Sequence, residues 1–286
     1  MTRRALPIGI QTFRTIREGD FYYVDKTGFA LRLIAEGTHY FLSPRRFGKP
    51  LFLDTLAELF EGNAALFSGL EAERGCDWAR RFPVIRLSFG GGVLQSRGEL
   101  DRRILALLRK NQHALGVNGG DQTDIVGCFS GLIERAHAAT GVRVVVLVDE
   151  YDKPILDNIT DAATAREMRD GLRNLYSVIK DSDAHIRFAF LTGVSKFSKV
   201  GLFSGMNNLK DITVDARYSA LCGYTEADLD QVFAPELAGL DRGQIRARYN
   251  GYNWFGEAVY KPFDVLLLLD AREFRRYGSR PARRPF

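Results

Sequence analysis

The amino-acid sequence predicts an α/β fold built around a parallel β-sheet. Short apolar segments that suit strands alternate with longer amphipathic segments that suit helices, which is the pattern of consecutive βαβ units. The run 144–148 consists of five apolar residues, as expected for a parallel strand that is buried on both faces. The 286-residue chain is 45% hydrophobic and 26% charged, so it has enough apolar material for a core.

The elements can be assigned in order along residues 1–219, which we predict to form one α/β domain. The segment 22–37 is typical of a short strand followed by a helix that Asp25 or Thr27 caps and Gly37 ends. Apolar runs predict further strands at 38–43, 82–89, 143–155 and 186–194, with a fifth candidate at 211–219. Apolar residues at helical spacing predict helices at 51–62, 98–115, 125–140 and 165–181.

The pattern changes beyond residue 220. The segment 224–233 opens with a capping box formed by Thr225 and Asp228, and an aromatic, turn-rich stretch follows it. We predict a small helical and aromatic region at 220–270. Residues 271–286 are rich in Arg and Pro, which predicts a disordered basic tail.

Composition excludes several classes of protein. The three cysteines and four histidines show neither CxxC nor metal-ligand spacing, which favours reduced structural thiols in a cytoplasmic protein. No apolar run approaches the roughly 20 residues of a membrane span, so we expect no membrane association. The net charge of +5 is weak evidence for a nucleic-acid partner, because the charges of 35 acidic residues offset most of those of the 40 basic residues.

The segment FLSPRRFGKPLFLDTL, residues 41–56, combines a strand end, a basic turn and the start of an amphipathic helix. A phosphate-binding loop needs backbone N–H groups at a helix N-terminus, a Lys for the outer phosphates and a hydroxyl for Mg²⁺. Gly48 and Lys49 fit, whereas Ser43 replaces the first Gly and Pro50 replaces the Ser or Thr; a plain basic turn is the alternative. The predicted nucleotide-binding residues are Pro44, Arg45, Arg46, Phe47, Gly48, Lys49, Pro50 and Leu51.

Two acids, Asp149 and Glu150, follow the apolar run 144–148. In ATPases of the additional-strand class, the first acid holds Mg²⁺ through water and the second orients and deprotonates the attacking water. We therefore predict Asp149 as the metal ligand and Glu150 as the catalytic base. A capped strand end with solvated acids is the alternative.

The next predicted strand ends at Thr192, and Ser195 follows shortly after it. Either hydroxyl is a candidate sensor of the γ-phosphate, and a helix N-cap is the alternative role. The order of strands, loop and acids predicts a P-loop NTPase sheet of the additional-strand type, with about five strands flanked by helices. We expect Lys49 and the two acids to meet at one edge of this sheet and to bind ATP with Mg²⁺.

These residues place the chain close to a known family. The chain resembles the bacterial AAA-ATPase-like proteins, which often carry a PD-(D/E)xK nuclease-like domain after the ATPase. The resemblance covers roughly residues 6–266 and implies a P-loop ATPase core followed by a small helical region, without implying a substrate. The stretches that carry it include LPIGIQTF (6–13), YYVDKT (22–27), residues 41–56, VLVDEYDKPIL (147–156), FLTGVSKFSKVGLFSGMNNLKDIT (190–213) and RYNGYNWF (248–255).

The chain departs from the family in two places. The family usually reads RPRRFGKS or RPRRFGKT, whereas here one residue before Pro44 is missing and Pro50 stands in place of the hydroxyl residue. The resemblance also fades after about residue 270, and no nuclease-like part is expected to follow; a shortened chain and an altered reading frame both fit this.

Three interpretations of function stay open. In the first, the chain is an ATPase, and hydrolysis drives a change near residues 220–266. Arg45 and Arg46 then either neutralise phosphate charge or act across a contact between subunits of a homo-oligomer. Alternatively, its atypical loop makes it a non-catalytic binding or regulatory module. The third interpretation is a nucleic-acid-associated defence protein that uses the basic tail.

Overall fold

The structure is a computed structural model, and its description covers residues 3–37, 39–42, 47–118, 124–194, 202, 209–253, 256–275 and 277. The chain divides into two compact units. The first unit comprises residues 1–29, 46–55 and 213–286, and the second comprises residues 30–45 and 56–212. This division follows spatial packing, and the linear boundaries at 219 and 270 stay predictions.

The helices occupy the following ranges. They are α1 Phe13–Glu18, α2 Thr27–Glu36, α3 Lys49–Phe60, α4 Ala72–Gly75, α5 Arg97–Ala114, α6 Ile125–Thr140, α7 Lys153–Asp157, α8 Ala162–Asp181, α9 Glu226–Val232, α10 Ala234–Leu237, α11 Arg242–Tyr249 and α12 Pro262–Ala271.

A five-stranded, all-parallel sheet forms the centre of the second unit within the described residues, which confirms the predicted α/β class. Its strand order is β2-β3-β4-β1-β5, so β4 lies between β1 and β3, as the additional-strand arrangement requires. The strands are β1 His39–Leu42, β2 Val84–Ser88, β3 Val144–Asp149, β4 Ile186–Thr192 and β5 Lys210–Asp211.

The central strands are buried because helices cover the sheet. Residues 144–148 of β3 are all buried, which explains their uninterrupted apolar run. Helix α8 presents Met168, Leu172, Leu175 and Ile179 to the same apolar core. The core therefore fixes the strand ends, where the candidate site residues lie.

Several helix ends are capped by an acidic side chain or by a glycine. The Asp161 side chain accepts hydrogen bonds from the first turn of α8, and the Asp124 side chain does the same for α6. Gly141 ends α6 in the left-handed conformation, at φ 68°.

Three strand predictions are wrong in detail. Residues 22–24 form no strand; only an isolated bridge joins Ala5 to Phe21. The strand predicted at 143–155 ends at Asp149, because the backbone of Glu150 turns into the left-handed region and α7 begins at Lys153. The candidate fifth strand at 211–219 is reduced to Lys210–Asp211, which pairs only with residues 40 and 41 of β1.

The first unit contains the C-terminal helices and a small hairpin. The predicted capping box is present at the start of α9, where the Thr225 side chain accepts from the N–H of Asp228 and the Asp228 carboxylate accepts from that of Thr225. An antiparallel pair, β6 Asn250–Asn253 and β7 Ala258–Tyr260, was not predicted. Most of the predicted tail, residues 276 and 278–286, lies outside the described residues.

Within the described part of the chain, no helix combines the length and the apolar character that crossing a bilayer requires.

Candidate functional site

Asp149 and Thr192 lie at the carboxyl ends of the neighbouring strands β3 and β4. Parallel strands end at the same edge of a sheet, so the two side chains meet there, and Thr192 Oγ1 donates a 2.6 Å hydrogen bond to Asp149 Oδ1. Thr192 is fully buried and Asp149 is half-buried. A hydroxyl therefore fixes the orientation of a carboxylate at the rim of the sheet.

Glu150 follows Asp149 in a backbone conformation that is rare for its residue type. Its φ is +53°, and its N–H points at Thr192 Oγ1 at 3.4 Å. For a residue with a Cβ atom, the left-handed region costs roughly 1–2 kcal/mol. Strain of this kind is found most often at functional sites, where it aims a side chain in a direction that a regular strand would not allow.

The turn after Glu150 is joined to the end of β4 by further hydrogen bonds. The Tyr151 N–H donates to the carbonyl of Thr192 at 2.9 Å. The Asp152 carboxylate, which is fully buried, accepts the N–H of Val194 at 2.9 and 3.1 Å. The acidic turn is thus tied to the residues that follow the candidate sensor Thr192.

Gly193 is required where it stands. A Cβ atom at this position would lie 1.9 Å from Cε1 of Tyr151. The Tyr151 ring is itself fully buried, 5.2 Å from the ring of Phe41 between their centroids. The Tyr151–Gly193 pair was not identified from the sequence, although the glycine directly after a buried strand was a usable signal.

Helix α3 begins at Lys49, two residues earlier than predicted. The carbonyl of Gly48 accepts the N–H of Phe52 at 3.1 Å, so Gly48 occupies the N-cap position with a φ of +82° that favours glycine. Pro50 is the second helical residue, where a helix has no internal partner for an N–H group. Proline is therefore harmless to the helix, but it removes one of the donors that an anion at this terminus would use.

A pocket in the first unit lies beside the start of α3. Its wall includes Gly48, Phe52, Cys222 and Tyr224, and most of its surface is apolar. Burial raises the pKa of the Cys222 thiol to about 12, although the nearby amines of Lys49 and Lys26 act in the opposite direction. A largely apolar wall that includes aromatic side chains suits a flat ligand.

Lys26, which also lines this pocket, is held by α9. Its Nζ donates to Asp228 Oδ2 at 2.6 Å, and both side chains are largely buried. The same carboxylate oxygen accepts the backbone N–H of Thr225 in the capping box. The pocket wall and the first turn of α9 therefore share one carboxylate within the first unit.

The structure brings together Asp149, Glu150 and Thr192 among the predicted site residues. Gly48 and Lys49 belong to the first unit and the two acids to the second, and their expected convergence stays a prediction. Phe47 and Lys49 are buried, and Leu51 is half-buried. The predicted site residues outside the described ranges are Pro44, Arg45, Arg46 and Ser195.

Mg²⁺ is compatible with the acids of the second unit. The described residues contain no cluster of three or more His, Cys, Asp or Glu side chains that could hold a metal ion. Mg²⁺ does not need such a cluster, because it usually takes one or two carboxylates together with phosphate oxygens and waters. Asp149, oriented by Thr192, fits that demand, whereas Pro50 offers no hydroxyl.

Comparison with known proteins is consistent with these features. A family model described as a predicted AAA-ATPase, of the AAA-ATPase-like type, matches residues 7–203. A protein of Azotobacter chroococcum mcd 1, named "Uncharacterized protein in vnfD 5'region", is 69% identical over 279 residues. This alignment covers 97% of the chain and 54% of the relative, so the chain spans about half the length of that protein.

Proposed function

The chain belongs to the AAA-ATPase-like family, and from this premise we propose that it binds ATP with Mg²⁺ and hydrolyses it. Lys49 contacts the β- and γ-phosphates, with backbone N–H groups at the start of α3. Asp149 holds Mg²⁺, which supplies positive charge to the phosphates when it is bound. Glu150 orients and deprotonates the attacking water, and Thr192 responds to the γ-phosphate.

The observation that carries this proposal is the hydrogen bond between Thr192 and Asp149. A solvated strand end would need neither a buried hydroxyl to orient its acid nor a strained residue directly after it. Here both are present, since Glu150 has a φ of +53°. A metal ligand requires a carboxylate that is held in a fixed orientation, and a general base requires a second acid positioned beside it.

The pocket of the first unit supports the choice of a nucleotide over inorganic phosphate. Its apolar and aromatic wall, which includes Phe52 and Tyr224, suits a flat base. Gly48 forms part of the same wall and precedes Lys49 directly, so a ligand in this pocket lies beside the helix start. We propose that the base occupies this pocket.

A non-catalytic nucleotide-binding module is the second candidate, and Pro50 favours it. At the second position of α3 it contributes neither an N–H to the phosphates nor a hydroxyl to Mg²⁺. One hydrogen bond to a charged group is worth roughly 1.5–3 kcal/mol. At ~1.4 kcal/mol per decade, losing both groups weakens Mg-nucleotide binding about a hundredfold.

Calorimetric titration with ATP and Mg²⁺, combined with a phosphate-release assay, tests the proposal. We expect saturable binding, and hydrolysis that Glu150→Gln abolishes while binding is kept. Glu18→Gln is the matched control, because Glu18 is exposed and its ion pair is a local one with Arg14, four residues earlier. Binding without hydrolysis above the Glu150→Gln level would establish the non-catalytic module, and the absence of any nucleotide binding would refute both candidates.

A further inference from the structure

The amino ends of β3 and β4 contain an irregularity at the edge of the sheet opposite to Asp149. Val144 pairs with Ile186, but Val145 pairs with Phe188, so Arg187 is an extra residue without a counterpart on β3. Such a bulge bends the strand locally and redirects the side chain that it carries. The sequence run 186–192 is otherwise a plain buried strand, and Arg187 is its only charged residue.

Three arginines lie at the same edge of the sheet, because Arg80 and Arg143 precede β2 and β3, Arg187 lies near the start of β4, and these are neighbouring parallel strands. The guanidinium of Arg187 donates to the carbonyl of Ile34, in the last turn of α2, at 3.1 Å. Burial lowers its pKa, and the neighbouring guanidinium groups of Arg143 and Arg80 lower it further. Arg143 directly precedes β3, while Arg80 lies in the turn before β2 with its guanidinium 5.3 Å from the ring centroid of Phe82.

Other arginines of the second unit differ from these three because they have carboxylate partners. Arg86 pairs with Glu61 at 2.8 Å, and Arg97 pairs with Asp101 at 2.7 Å. Within the described ranges, no ion pair links Arg80, Arg143 or Arg187 to a carboxylate, and none of the three has any further polar contact beyond those given above.

Two acids of the second unit lie near other groups. Asp183 Oδ1 is 3.7 Å from Nε2 of His39, and Glu36 Oε2 is 3.8 Å from Nζ of Lys210. Three guanidinium groups held together in this way repel one another, and an anion placed among them would offset that repulsion.

We propose that Arg80, Arg143 and Arg187 form a phosphate-binding site that accepts the backbone of a nucleic-acid strand. The guanidinium fork matches phosphate oxygens in a bidentate manner. A nucleic-acid strand provides closely and regularly spaced phosphates, so one strand can satisfy arginines that come from three separate segments.

Fluorescence anisotropy of the full chain with a labelled single-stranded DNA of about 20 nucleotides tests this site. We expect the logarithm of the association constant to fall linearly with the logarithm of salt concentration. Replacing all three arginines by glutamine should weaken binding at least tenfold and reduce the magnitude of the salt slope by about two, at roughly 0.7 for each lost phosphate contact. Arg86→Gln, which removes an arginine that already has a carboxylate partner, should leave both values unchanged.

Two further variants keep the test decisive. Arg143→Glu changes an exposed side chain that has no hydrogen bond or ion pair within the described part of the chain, so it should preserve folding and still weaken DNA binding. Deleting residues 278–286 separates this site from the basic tail. The proposal is overturned if the full chain does not bind DNA, if only the deletion weakens binding, or if polyglutamate of equal charge binds at least as tightly as DNA.

Discussion

The hydroxyl of Thr192 and the carboxylate of Asp149 are joined by a 2.6 Å hydrogen bond across two neighbouring strand ends. The donor is buried and cannot rotate towards solvent, so the acceptor is held in one orientation. This contact links the last residue of β4 to the last residue of β3. It makes the metal-ligand role proposed for Asp149 dependent on a residue 43 positions away in the chain.

Removing this hydroxyl should slow hydrolysis more than it weakens nucleotide binding. Thr192→Val keeps the shape of the side chain but leaves Asp149 without its donor. A hydrogen bond to a charged group is worth roughly 1.5–3 kcal/mol, which corresponds to about a 10- to 150-fold lower rate constant. Single-turnover phosphate release measures the effect. Thr192→Ser restores the donor and should recover most of the rate; equal rates for the Val and Ser variants would argue against the role of the hydroxyl.

The left-handed conformation of Glu150 predicts an unusual order of stability. Glu150→Gly relieves the steric strain, whereas Glu150→Ala removes the same carboxylate and keeps the strain. We expect the Gly variant to have a free energy of unfolding about 1 kcal/mol higher than that of the Ala variant. Urea denaturation compares them. A higher free energy of unfolding for the Ala variant would show that the left-handed backbone at position 150 does not destabilise the protein.

Substituting Gly193 should destabilise the second unit strongly. The new Cβ of Gly193→Ala would lie 1.9 Å from the buried ring of Tyr151, and overpacking of a core costs about 3 kcal/mol in such cases. Thermal unfolding measures the loss. Gly98→Ala is the control, because a Cβ there, near the start of α5, meets only the end of the Arg102 side chain at 3.5 Å, so this variant should be neutral or slightly stabilised.

The clash has a specific partner, so it should be relieved by a second change. Tyr151→Leu shortens the side chain that the new methyl group meets. The double variant Tyr151→Leu/Gly193→Ala should lose less stability than the sum of the two single variants. Strict additivity would mean that another neighbour causes the loss.

Two substitutions of Pro50 distinguish the effect of its missing backbone N–H from the effect of its missing side-chain hydroxyl. Pro50→Ala restores a backbone N–H at the second position of α3, and Pro50→Ser restores both the N–H and a hydroxyl. We expect affinity for ADP without Mg²⁺ to rise about tenfold in both variants. Affinity for ATP with Mg²⁺ should rise further only in the Ser variant. Titration calorimetry measures both affinities, and unchanged binding in both variants would contradict the interpretation of Pro50.

His39, the first residue of β1, should make stability depend on pH. Burial lowers the pKa of this imidazole below its usual 6.5, and Asp183 acts in the opposite direction. As the pH falls, His39 therefore takes up a proton in the unfolded chain before it does so in the folded protein. The contribution of neutral His39 to the free energy of unfolding is present above pH 6.5 and is lost progressively below it. We expect His39→Gln to flatten the fall in urea midpoint between about pH 7.5 and 5.5. His113→Gln, on an exposed position of α5, should keep the wild-type profile.

Local sequence patterns predicted most of the helices and buried strands, because each of these elements has a characteristic spacing of apolar residues. The apolar run 144–148 and the capping box of Thr225 and Asp228 are examples. The start of α3 at Lys49 was missed because a proline usually signals the end of a helix, although the first turn tolerates it.

Features that depend on distant contacts could not be predicted in the same way. The burial of Asp152, the fit of Gly193 against Tyr151 and the bulge at Arg187 all arise from the pairing of β4 with its neighbours. The shortness of β5 has the same origin, since alternation along 211–219 does not reveal how much of β1 is available for pairing. The candidates Asp149, Glu150 and Thr192 were found because strand ends can be read locally, whereas the hydrogen bond between them required the strand order.

The strand order also determines when the sheet can form during synthesis. Strand β1 pairs only with β4 and β5, so the four buried residues 39–42 leave the ribosome long before any partner strand exists. At the usual 5–20 residues per second, the intervening segment of roughly 150 residues takes on the order of 10 s to translate. The apolar residues of β1 therefore stay without partner strands for that time, which favours aggregation of the nascent chain.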